Sequence, residues 1–314
     1  MKINPYFSLI IPCFNRAHSI KKAINSILEQ SFQDFEIIVI DDCSTDNTAN
    51  VIESMRHPKI HYFRNELNQE RCISRNIGIQ KATGRYICFL DSDDYHLPHH
   101  FEILYDEIQK QNEPKGFFFT NSWNETSQGV RTERGCPVYS EIEPYTYFLH
   151  YTVNPQRWAV HKEVLGKHAF DPEIVICEDM DTSLRILAAG VPIYHINERT
   201  TVYVAAEDSF TMSDSNKAEK ELFYLKKIFK RKELQGKLPR SEKNRLISMC
   251  YYFLAIKCRA ESKKRKTMMY SISSFLLCPK GYNGKTNKSI MVMCIYSIPL
   301  IGQFINLTRR TFKK

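Results

Sequence analysis

The stretch Tyr86-Ile87-Cys88-Phe89-Leu90-Asp91-Ser92-Asp93-Asp94 organises the rest of the chain. Five apolar or aromatic residues end in three carboxylates, a pattern typical of a buried strand that delivers acids to one edge of a sheet. Three like charges so close together repel one another, and a divalent cation or a cationic ligand would neutralise them. A metal site is one interpretation of these acids. The other is that Asp94 caps the next helix while the remaining acids are solvated turn residues.

The composition is that of a globular protein. The chain has 314 residues, 43% of them hydrophobic and 25% charged, so it can bury a large core in one domain or two. Its ten cysteines are scattered without a C-x-x-C pair, which favours free thiols in a reducing compartment over a disulfide or zinc framework. The apolar run at residues 7–12 is too short for a secretory signal, and a cytoplasmic protein is therefore expected.

Charge is distributed unevenly along the chain. Residues 1–210 carry 20 Lys and Arg against 29 Asp and Glu, a net charge of −9. Residues 211–314 carry 24 against 6, a net charge of +18. The acidic and basic parts are therefore expected to be different regions with different partners. We predict a first domain, residues 1–210, followed by a basic and mainly helical C-terminal region, residues 211–314.

Strand and helix signals alternate along the first domain. Short apolar runs ended by a breaker or by acids predict strands, and apolar positions at helical spacing predict helices. This alternation is typical of an α/β fold with a mostly parallel, Rossmann-like sheet covered by helices on both faces. The predicted strands are residues 8–12, 35–40, 60–63, 86–90 and 116–120, and the predicted helices are 16–30, 44–55, 73–82, 97–110 and one that opens at 178 and is ended by Gly190.

Three predicted strands end in residues suited to ligand binding. In parallel α/β sheets, ligands bind beyond the carboxyl ends of the strands. Three such ends carry Pro12-Cys13-Phe14-Asn15, Asp41-Asp42 and the acids after residue 90. These side chains, far apart in sequence, are therefore expected to meet in one crevice.

The remainder of the first domain is less regular. Residues 121–177 show no clean period, and we expect them to carry contacts to a second substrate. The acids of Glu178-Asp179-Met180-Asp181 then open a helix. Because the helix dipole favours acids in a first turn by about 0.3–1 kcal/mol each, this quartet alone does not indicate a site.

The C-terminal region combines basic residues with apolar helical faces. Residues 219–232 and 242–259 have helical spacing, and residues 263–266 form a basic run. Residues 290–307 are apolar but contain a Pro, a Gly and a Gln, and they fall short of the ~20 apolar residues that a spanning helix needs. Two interpretations stay open: a segment that lies in an anionic membrane surface, or a basic helical hairpin packed on the first domain.

Five motifs of the first domain, in order and with their spacing, resemble those of family 2 glycosyltransferases. The resemblance covers about residues 5–210 and does not extend into the C-terminal region. The motifs are Ser8-Leu9-Ile10-Ile11-Pro12-Cys13-Phe14-Asn15-Arg16, Phe35-Glu36-Ile37-Ile38-Val39-Ile40-Asp41-Asp42-Cys43-Ser44-Thr45-Asp46, Ser74-Arg75-Asn76-Ile77-Gly78, Asp91-Ser92-Asp93-Asp94, and Phe170-Asp171-Pro172-Glu173 leading to Glu178-Asp179-Met180-Asp181-Thr182-Ser183-Leu184-Arg185.

The resemblance implies a GT-A fold and the inverting transfer of a sugar from a nucleoside diphosphate donor. We expect the transfer to serve cell-surface polysaccharide biosynthesis. It implies that Asp179 is the general base and that Asp93, together with Asp91, binds a metal. Mg²⁺ or Mn²⁺ is expected, since such an ion held by one or two carboxylates stabilises a departing diphosphate. Asp181 is expected either to orient the acceptor or, as the favoured interpretation, to be solvated. A UDP-sugar is the favoured donor, and the residues expected to line it are Pro12, Phe14, Asn15, Asp41, Asp42, Arg75, Asp91 and Ser92.

Other function classes fit the sequence less well. The first strand-helix turn lacks G-x-G-x-x-G, which disfavours a nicotinamide dehydrogenase. The basic tail contains none of the usual motifs of nucleic-acid-binding proteins, so no nucleic acid is expected as a partner. Tyr203-Val204-Ala205-Ala206 stands where the family often has a His or Arg near the diphosphate, which keeps open an inactive sugar-nucleotide-binding module. We expect a glycan or lipid-linked acceptor, with the basic tail at the cytoplasmic face of the membrane.

Overall fold

The computed structural model describes residues 4–134, 137–151, 153–205 and 216–279. The chain divides into two units, Met1–Ser213 and Asp214–Lys314. The division lies close to the boundary that the charge distribution predicts after residue 210.

The first half of the sheet is parallel, as the alternation of strands and helices predicts. Its strands are β1 (Phe7–Cys13), β2 (Phe35–Asp41), β3 (Ile60–Arg64) and β4 (Tyr86–Phe89). They lie in the order β3-β2-β1-β4, with Phe7 of β1 opposite Phe35 of β2 and Tyr86 of β4. Because all four strands point the same way, their carboxyl ends share one edge of the sheet.

The second half of the sheet is mixed. It contains β5 (Tyr95–His96), β6 (Phe117–Glu125), β7 (Arg131–Arg134), β8 (Trp158–His161) and β9 (Ile193–Val204). Strand β8 runs antiparallel between β4 and β6, whereas β9 is parallel to β6. The α/β class is confirmed, but the sheet is parallel only in part. The sequence does not reveal β8 because its four residues lie in the stretch without a clean period.

Of the helices described in the first unit, five lie where the sequence predicts them and two lie in the stretch 121–177 that shows no clean period. In α1, for example, Ile20, Ala23, Ile24 and Ile27 recur at helical spacing and are all buried in the core. The helices of the first unit are α1 (Ile20–Leu28), α2 (Thr48–Ser54), α3 (Glu70–Lys81), α4 (His100–Lys110), α5 (Pro144–His150), α6 (Lys162–His168) and α7 (Glu178–Ala188).

Gly78 sets how closely α3 approaches the sheet. A Cβ atom at this position would overlap the side chain of Ile10 on β1, so only glycine permits the observed packing. Arg75 lies on the same helix, one turn earlier, and is buried. The Ser74-to-Gly78 motif therefore combines a packing residue with a charged side chain held beside the sheet.

The second unit is helical in its described part. It contains α8 (Lys217–Ile228), α9 (Arg240–Ala260) and α10 (Lys264–Leu277). The first two correspond to the predicted helices at 219–232 and 242–259, whereas α10 extends well beyond the predicted basic run. Among the residues that the structure describes, no helix is both long enough and apolar enough to cross a membrane. The apolar segment 290–307 lies outside the described residues.

Candidate active site

The loops that follow β1 and β2 are bonded to each other. The backbone N–H of Asn15 donates to Ser44 Oγ (2.9 Å), and Asn15 Oδ1 accepts from the N–H of Thr45 (2.8 Å). The N–H of Asp42 donates to the carbonyl oxygen of Cys13 (2.8 Å). The carboxamide oxygen of Asn15 is thus engaged within the loops, and this residue shapes the edge of the crevice through those contacts.

Pro12 and Phe14 lie at this edge with different exposure. Pro12 is partly buried near the end of β1, opposite Ile40 of β2. The Phe14 ring is 42% exposed, although its neighbours Cys13 and Ile11 are buried. An exposed aromatic face beside a sheet edge is a surface on which a planar ring can stack.

Asp41 and Asp42 occupy different environments, although they are adjacent. The Asp41 carboxylate is fully buried and accepts from the Tyr62 hydroxyl (2.7 Å) and from the N–H of Ser44 (2.9 Å). The expected contact between Asp41 and a nucleotide stays a prediction. Asp42 retains a small exposed fraction, and its carboxylate accepts from Asn65 Nδ2 (2.7 Å) and from the N–H of Gln69 (3.0 Å), just before α3.

Arg75 is the centre of the charged network. Its side chain is 2% exposed, and its two terminal nitrogens bond Asp91 Oδ1 and Glu178 Oε1, each at 3.0 Å. Burial lowers the pKa of this guanidinium, but Asp91 and Glu178 raise the pKa more, so it stays charged. Arg71 Nε lies 3.5 Å from the same Glu178 carboxylate. Arg75 therefore joins the end of β4 to the start of α7.

Gln156 holds the acids after β4 from the opposite side. Its Nε2 group donates to Asp91 Oδ2 and to Asp94 Oδ2, both at 2.8 Å. Its own backbone carbonyl is fixed by contacts with His96 Nε2 (2.9 Å) and Thr201 Oγ1 (3.1 Å). A neutral amide that donates to two carboxylates at once holds the two acids near each other without adding a charge of its own. No pattern in the sequence singles out Gln156, because it lies in a short 3₁₀ turn within the irregular stretch.

Within the acidic cluster, Asp94 has a structural position. It is buried, and its Oδ1 accepts from the N–H of Val204 (2.8 Å), which ties the cluster to the end of β9. Burial and the charges of Asp91 and Asp93 raise the pKa of Asp94 well above its ordinary value. The alternative in which Asp94 caps the next helix is wrong, since α4 begins at His100 without a side-chain cap. Ser92 is buried, whereas Asp91 and Asp93 are partly exposed.

The start of α7 places Asp179 beside the network. The residue is largely buried and follows Glu178, the partner of Arg75. Burial, and next the charge of Glu178, raise the pKa of Asp179 to about 7. Asp179 Oδ1 accepts from the N–H of Met180 (2.7 Å). A carboxylate with such a pKa exchanges a proton near neutral pH.

Asp181 is not solvated, contrary to expectation. It is fully buried, and its Oδ2 lies 2.9 Å from Arg185 Nε one turn later. Arg185 also donates to the carbonyl oxygen of Ala169 (2.7 Å). Asp181 therefore secures the packing of α7, because Arg185 connects it to the preceding loop.

Four of the eight non-glycine residues with positive φ in the described part of the chain lie near these side chains. Positive φ values occur at Asn15 (53°) after β1, Cys43 (67°) after β2, Glu70 (69°) at the start of α3 and Cys177 (64°) before α7. Non-glycine residues adopt this conformation rarely, and strained backbone of this kind recurs at active sites. This signal is structural, since none of the four positions carries a glycine that would reveal it in the sequence.

Two of the three histidines that follow the acidic cluster belong to the core, whereas His99 is exposed. His96 and His100 are buried with ring centroids 3.7 Å apart. Burial lowers the pKa of His96 to about 4 and that of His100 well below its ordinary value, so both are neutral at pH 7.

The fit of a divalent cation depends on the acids at the β4 edge. Within the part of the chain that the structure describes, no group of three or more His, Cys, Asp or Glu side chains is arranged to hold a metal ion. Mg²⁺, however, is usually held by one or two carboxylates and completed by substrate phosphates and water. Asp91 and Asp93 offer such oxygens, and their charges, second to burial, raise the pKa of Asp94. A cation beside them would relieve this repulsion, so the donor set fits.

Comparison with known proteins supports the implied family. The model described as "Glycosyl transferase family 2" matches residues 8–170. The Escherichia coli K12 protein named "Putative colanic acid biosynthesis glycosyl transferase WcaA" is 30% identical over 64% of this chain and 73% of its own length. The Campylobacter jejuni "GalNAc(5)-diNAcBac-PP-undecaprenol beta-1,3-glucosyltransferase" is 27% identical over 94% of both chains.

Solved structures support the fold. The Staphylococcus aureus protein TarS 1-349, crystallised with UDP-GlcNAc, has a TM-score of 0.64 at 18% identity and covers 96% of this chain and 92% of its own. The Pyrobaculum calidifontis mannosyltransferase PcManGT, solved with GDP-Man and Mn²⁺, has a TM-score of 0.59 at 15% identity, with 95% and 88% covered. The expected GT-A fold is thereby confirmed.

Proposed function

The chain belongs to glycosyl transferase family 2, and from this premise we propose that it moves a sugar from a nucleoside diphosphate donor to an acceptor hydroxyl with inversion at the anomeric carbon. The observation that carries the proposal is the Arg75 bridge, which joins Asp91 to Glu178, the neighbour of Asp179. The bridge thus ties the sheet edge to the residue beside Asp179, whose pKa of about 7 suits proton transfer at neutral pH.

Asp179 acts as the general base. Its carboxylate takes the proton of the acceptor hydroxyl while the hydroxyl oxygen bonds to the anomeric carbon from the face opposite the diphosphate. The bond between that carbon and the diphosphate oxygen breaks, and its electron pair leaves with the nucleoside diphosphate. Such proton transfer typically contributes about 10²–10⁴-fold to the rate. A single displacement of this kind inverts the configuration of the sugar.

The donor lies across the carboxyl ends of β1, β2 and β4. Phe14 and Pro12 offer apolar surface to the nucleobase of the donor, and Asp42 supplies a carboxylate beside it. Asp91 and Ser92 contact the ribose or the sugar. Arg75 stabilises this arrangement from beneath the acids. A UDP-sugar is favoured, in keeping with the UDP-GlcNAc bound to the structural neighbour TarS.

Asp93 and Asp91 would hold a divalent cation, Mg²⁺ or Mn²⁺. When bound, the ion would stabilise the negative charge that develops on the departing diphosphate. PcManGT, which shares the fold, was solved with Mn²⁺. Gln156 and Arg75 keep Asp91 in place from two sides, so this carboxylate is preorganised for its role.

The acceptor belongs to cell-surface polysaccharide biosynthesis and is a glycan or a lipid-linked sugar. The names of the relatives from Escherichia coli and Campylobacter jejuni, colanic acid biosynthesis and an undecaprenol-linked acceptor, support this assignment. Residues 1–210 form the catalytic domain, and residues 211–314 attach it peripherally to the cytoplasmic face of the membrane. The net charge of +18 in this second region suits an anionic surface.

A donor screen tests the proposal. Sugar nucleotides are added with and without Mn²⁺, and the melting temperature is followed, because a ligand that binds only the folded state raises it. We expect a metal-dependent rise with a UDP-sugar that Asp93→Ala abolishes. NMR of the product then gives the anomeric configuration. A rise without any transfer to lipid-linked acceptors would support the inactive binding module, and retention of configuration would contradict the single displacement.

A further inference from the structure

Helix α10 has an inverted distribution of side chains. Its buried residues are small and polar: Thr267, Ser271 and Ser274 recur at positions i, i+4 and i+7. The opposite side of the helix carries Met269, Ile272 and Leu276, also at helical spacing, and these are 51%, 43% and 72% exposed. We call these three residues the α10 face. A helix that packs only against protein usually buries its large apolar residues and exposes its polar ones.

The contact between α9 and α10 explains how small residues hold this helix. Ser248 Oγ donates to the carbonyl oxygen of Ser274 (2.9 Å), and Ser274 Oγ donates to that of Ser248 (2.8 Å). Both serines are fully buried. Reciprocal hydrogen bonds between small side chains are a packing mode of helices in apolar surroundings, where burying large apolar residues against each other gains little. The α10 face is thereby left free of the helix pair.

Basic residues stand at the start of the same helix. Lys264, Arg265 and Lys266 are exposed and follow Lys263, so four cations lie within the turn that begins α10. Arg265 lies on the side of the α10 face, one turn before Met269. Long basic side chains beside an apolar stripe are typical of helices that lie in a membrane surface, because the cations reach the lipid phosphates.

We propose that the α10 face inserts into the interface of an anionic lipid bilayer, with Lys263 to Lys266 against the phosphate groups. The proposal rests on the proposed function in one respect, since a lipid-linked acceptor requires the protein at a membrane. It goes beyond that function by assigning the contact to three apolar side chains and one basic run. Charge alone therefore does not hold the protein on the membrane.

Charge complementarity selects the bilayer over other occupants. A second copy of this chain would bring together two regions that each carry +18, and their repulsion opposes association. A nucleic acid would complement the charge but would gain nothing from Met269, Ile272 and Leu276. An anionic bilayer complements both the cations and the apolar stripe.

The test measures sedimentation of the full chain with vesicles. Parent protein and the variant M269S/I272S/L276S are mixed with vesicles of phosphatidylcholine and phosphatidylglycerol in about a 2:1 ratio, or of phosphatidylcholine alone. We expect the parent to sediment with the anionic vesicles, and we expect the triple variant to bind about tenfold more weakly. Val130→Ser, an exposed apolar-to-serine change in the first unit, serves as the matched control and should bind like the parent.

The failures of the two proposals are distinguishable. Asp179→Asn should sediment like the parent, because binding to vesicles requires no transfer. Equal sedimentation of the parent and the triple variant would contradict insertion of the α10 face into the bilayer. A parent that stays in the supernatant would contradict it as well. If the parent is a dimer that does not sediment with vesicles, and the triple variant is a monomer, the α10 face binds a second copy of the chain. If the triple variant does not fold, as judged by its melting curve, Ile272→Gln alone is used with the same criteria.

Discussion

The acid-rich edge of the sheet and the α10 helix distribute polar and apolar side chains in opposite ways. At the sheet edge, Arg75, Asp94 and Glu178 are buried charges that pair with one another or with amides, and the strands beneath them are apolar. In α10, the buried side chains are uncharged hydroxyls, and the large apolar ones face outward.

The two arrangements suit different surroundings. A buried charge is costly unless it is paired, so a network of such charges persists where it holds reacting groups in place. An exposed apolar stripe is costly in water, so it persists where another phase or surface covers it. The first region is therefore suited to chemistry and the second to docking.

The largest effect is expected for Asp179→Asn. The amide cannot take a proton, so the transfer rate should fall by about 10²–10⁴-fold, while the affinity for the donor changes little. Initial rates and donor titrations measure the two quantities. Glu173→Gln, an exposed acid-to-amide change in the loop before α7, is the matched control. Near-normal turnover of Asp179→Asn would remove this residue from the role of base.

Arg75→Gln tests whether the buried charges depend on their bridge. The substitution leaves Glu178 buried without its nearest cation, and breaking a buried pair costs about 3–5 kcal/mol of the free energy of unfolding. We expect a loss at the lower end of this range, because Asp91, the other partner of Arg75, is partly exposed to water. Urea unfolding measures the change. Arg71→Gln, at a more exposed position near the same acid, should cost much less. Similar costs for both would contradict the central place of Arg75.

Gln156→Met tests a residue that no motif contains. The substitution keeps the volume of the side chain nearly unchanged but removes the amide group that donates to both Asp91 and Asp94. Hydrogen bonds to charged groups contribute about 1.5–3 kcal/mol, so a loss of about 2 kcal/mol in the free energy of unfolding is expected. Metal-dependent donor binding should weaken as well, since Asp91 loses one of its supports. Unchanged stability and unchanged donor affinity would show that Arg75 alone organises the acids.

The pH dependence of transfer follows from the burial of Asp179. Its pKa is raised to about 7, and the base acts only when deprotonated, so the rate should rise with pH through this value. One unit below the midpoint the rate should be about tenfold under its plateau. Rate profiles under donor saturation measure this. The same shift has the opposite sign for stability, because the folded state prefers the protonated acid and loses this contribution as pH rises from about 4 to 7. A flat profile from pH 6 to 8 would contradict the assignment.

The smallest effect is expected for Ile272→Ser on the α10 face. Because this side chain is exposed, the free energy of unfolding in water should change by less than about 0.5 kcal/mol. Ser274→Ala, which removes a buried donor to the Ser248 carbonyl, should cost more, about 1 kcal/mol. Ile272→Ser would then lower the free energy of unfolding less than Ser274→Ala does. Replacing a large apolar side chain by a polar one usually has the larger effect. A larger cost for Ile272→Ser would show that the chain itself covers this face.

Much of the first unit is readable from its sequence. The apolar runs and helical spacing locate β1 to β4 and the helices between them, because burial on both sides of a parallel sheet demands continuous apolar residues. The same pattern places Asp91 and Asp93 at the carboxyl end of β4. Strand β8 escapes detection because a short antiparallel strand leaves no period of its own.

From the sequence alone one can locate the apolar runs of the first strands, the family motifs and the division into an acidic and a basic region. Only the folded molecule shows which charges meet. It pairs Arg75 with Asp91 and Glu178, buries Asp41 and Asp181, and places Gln156 between two acids. It also turns Met269, Ile272 and Leu276 outward. The physical reason is that periodicity records the burial of single elements, whereas pairing of charges depends on the distance between elements far apart in the chain.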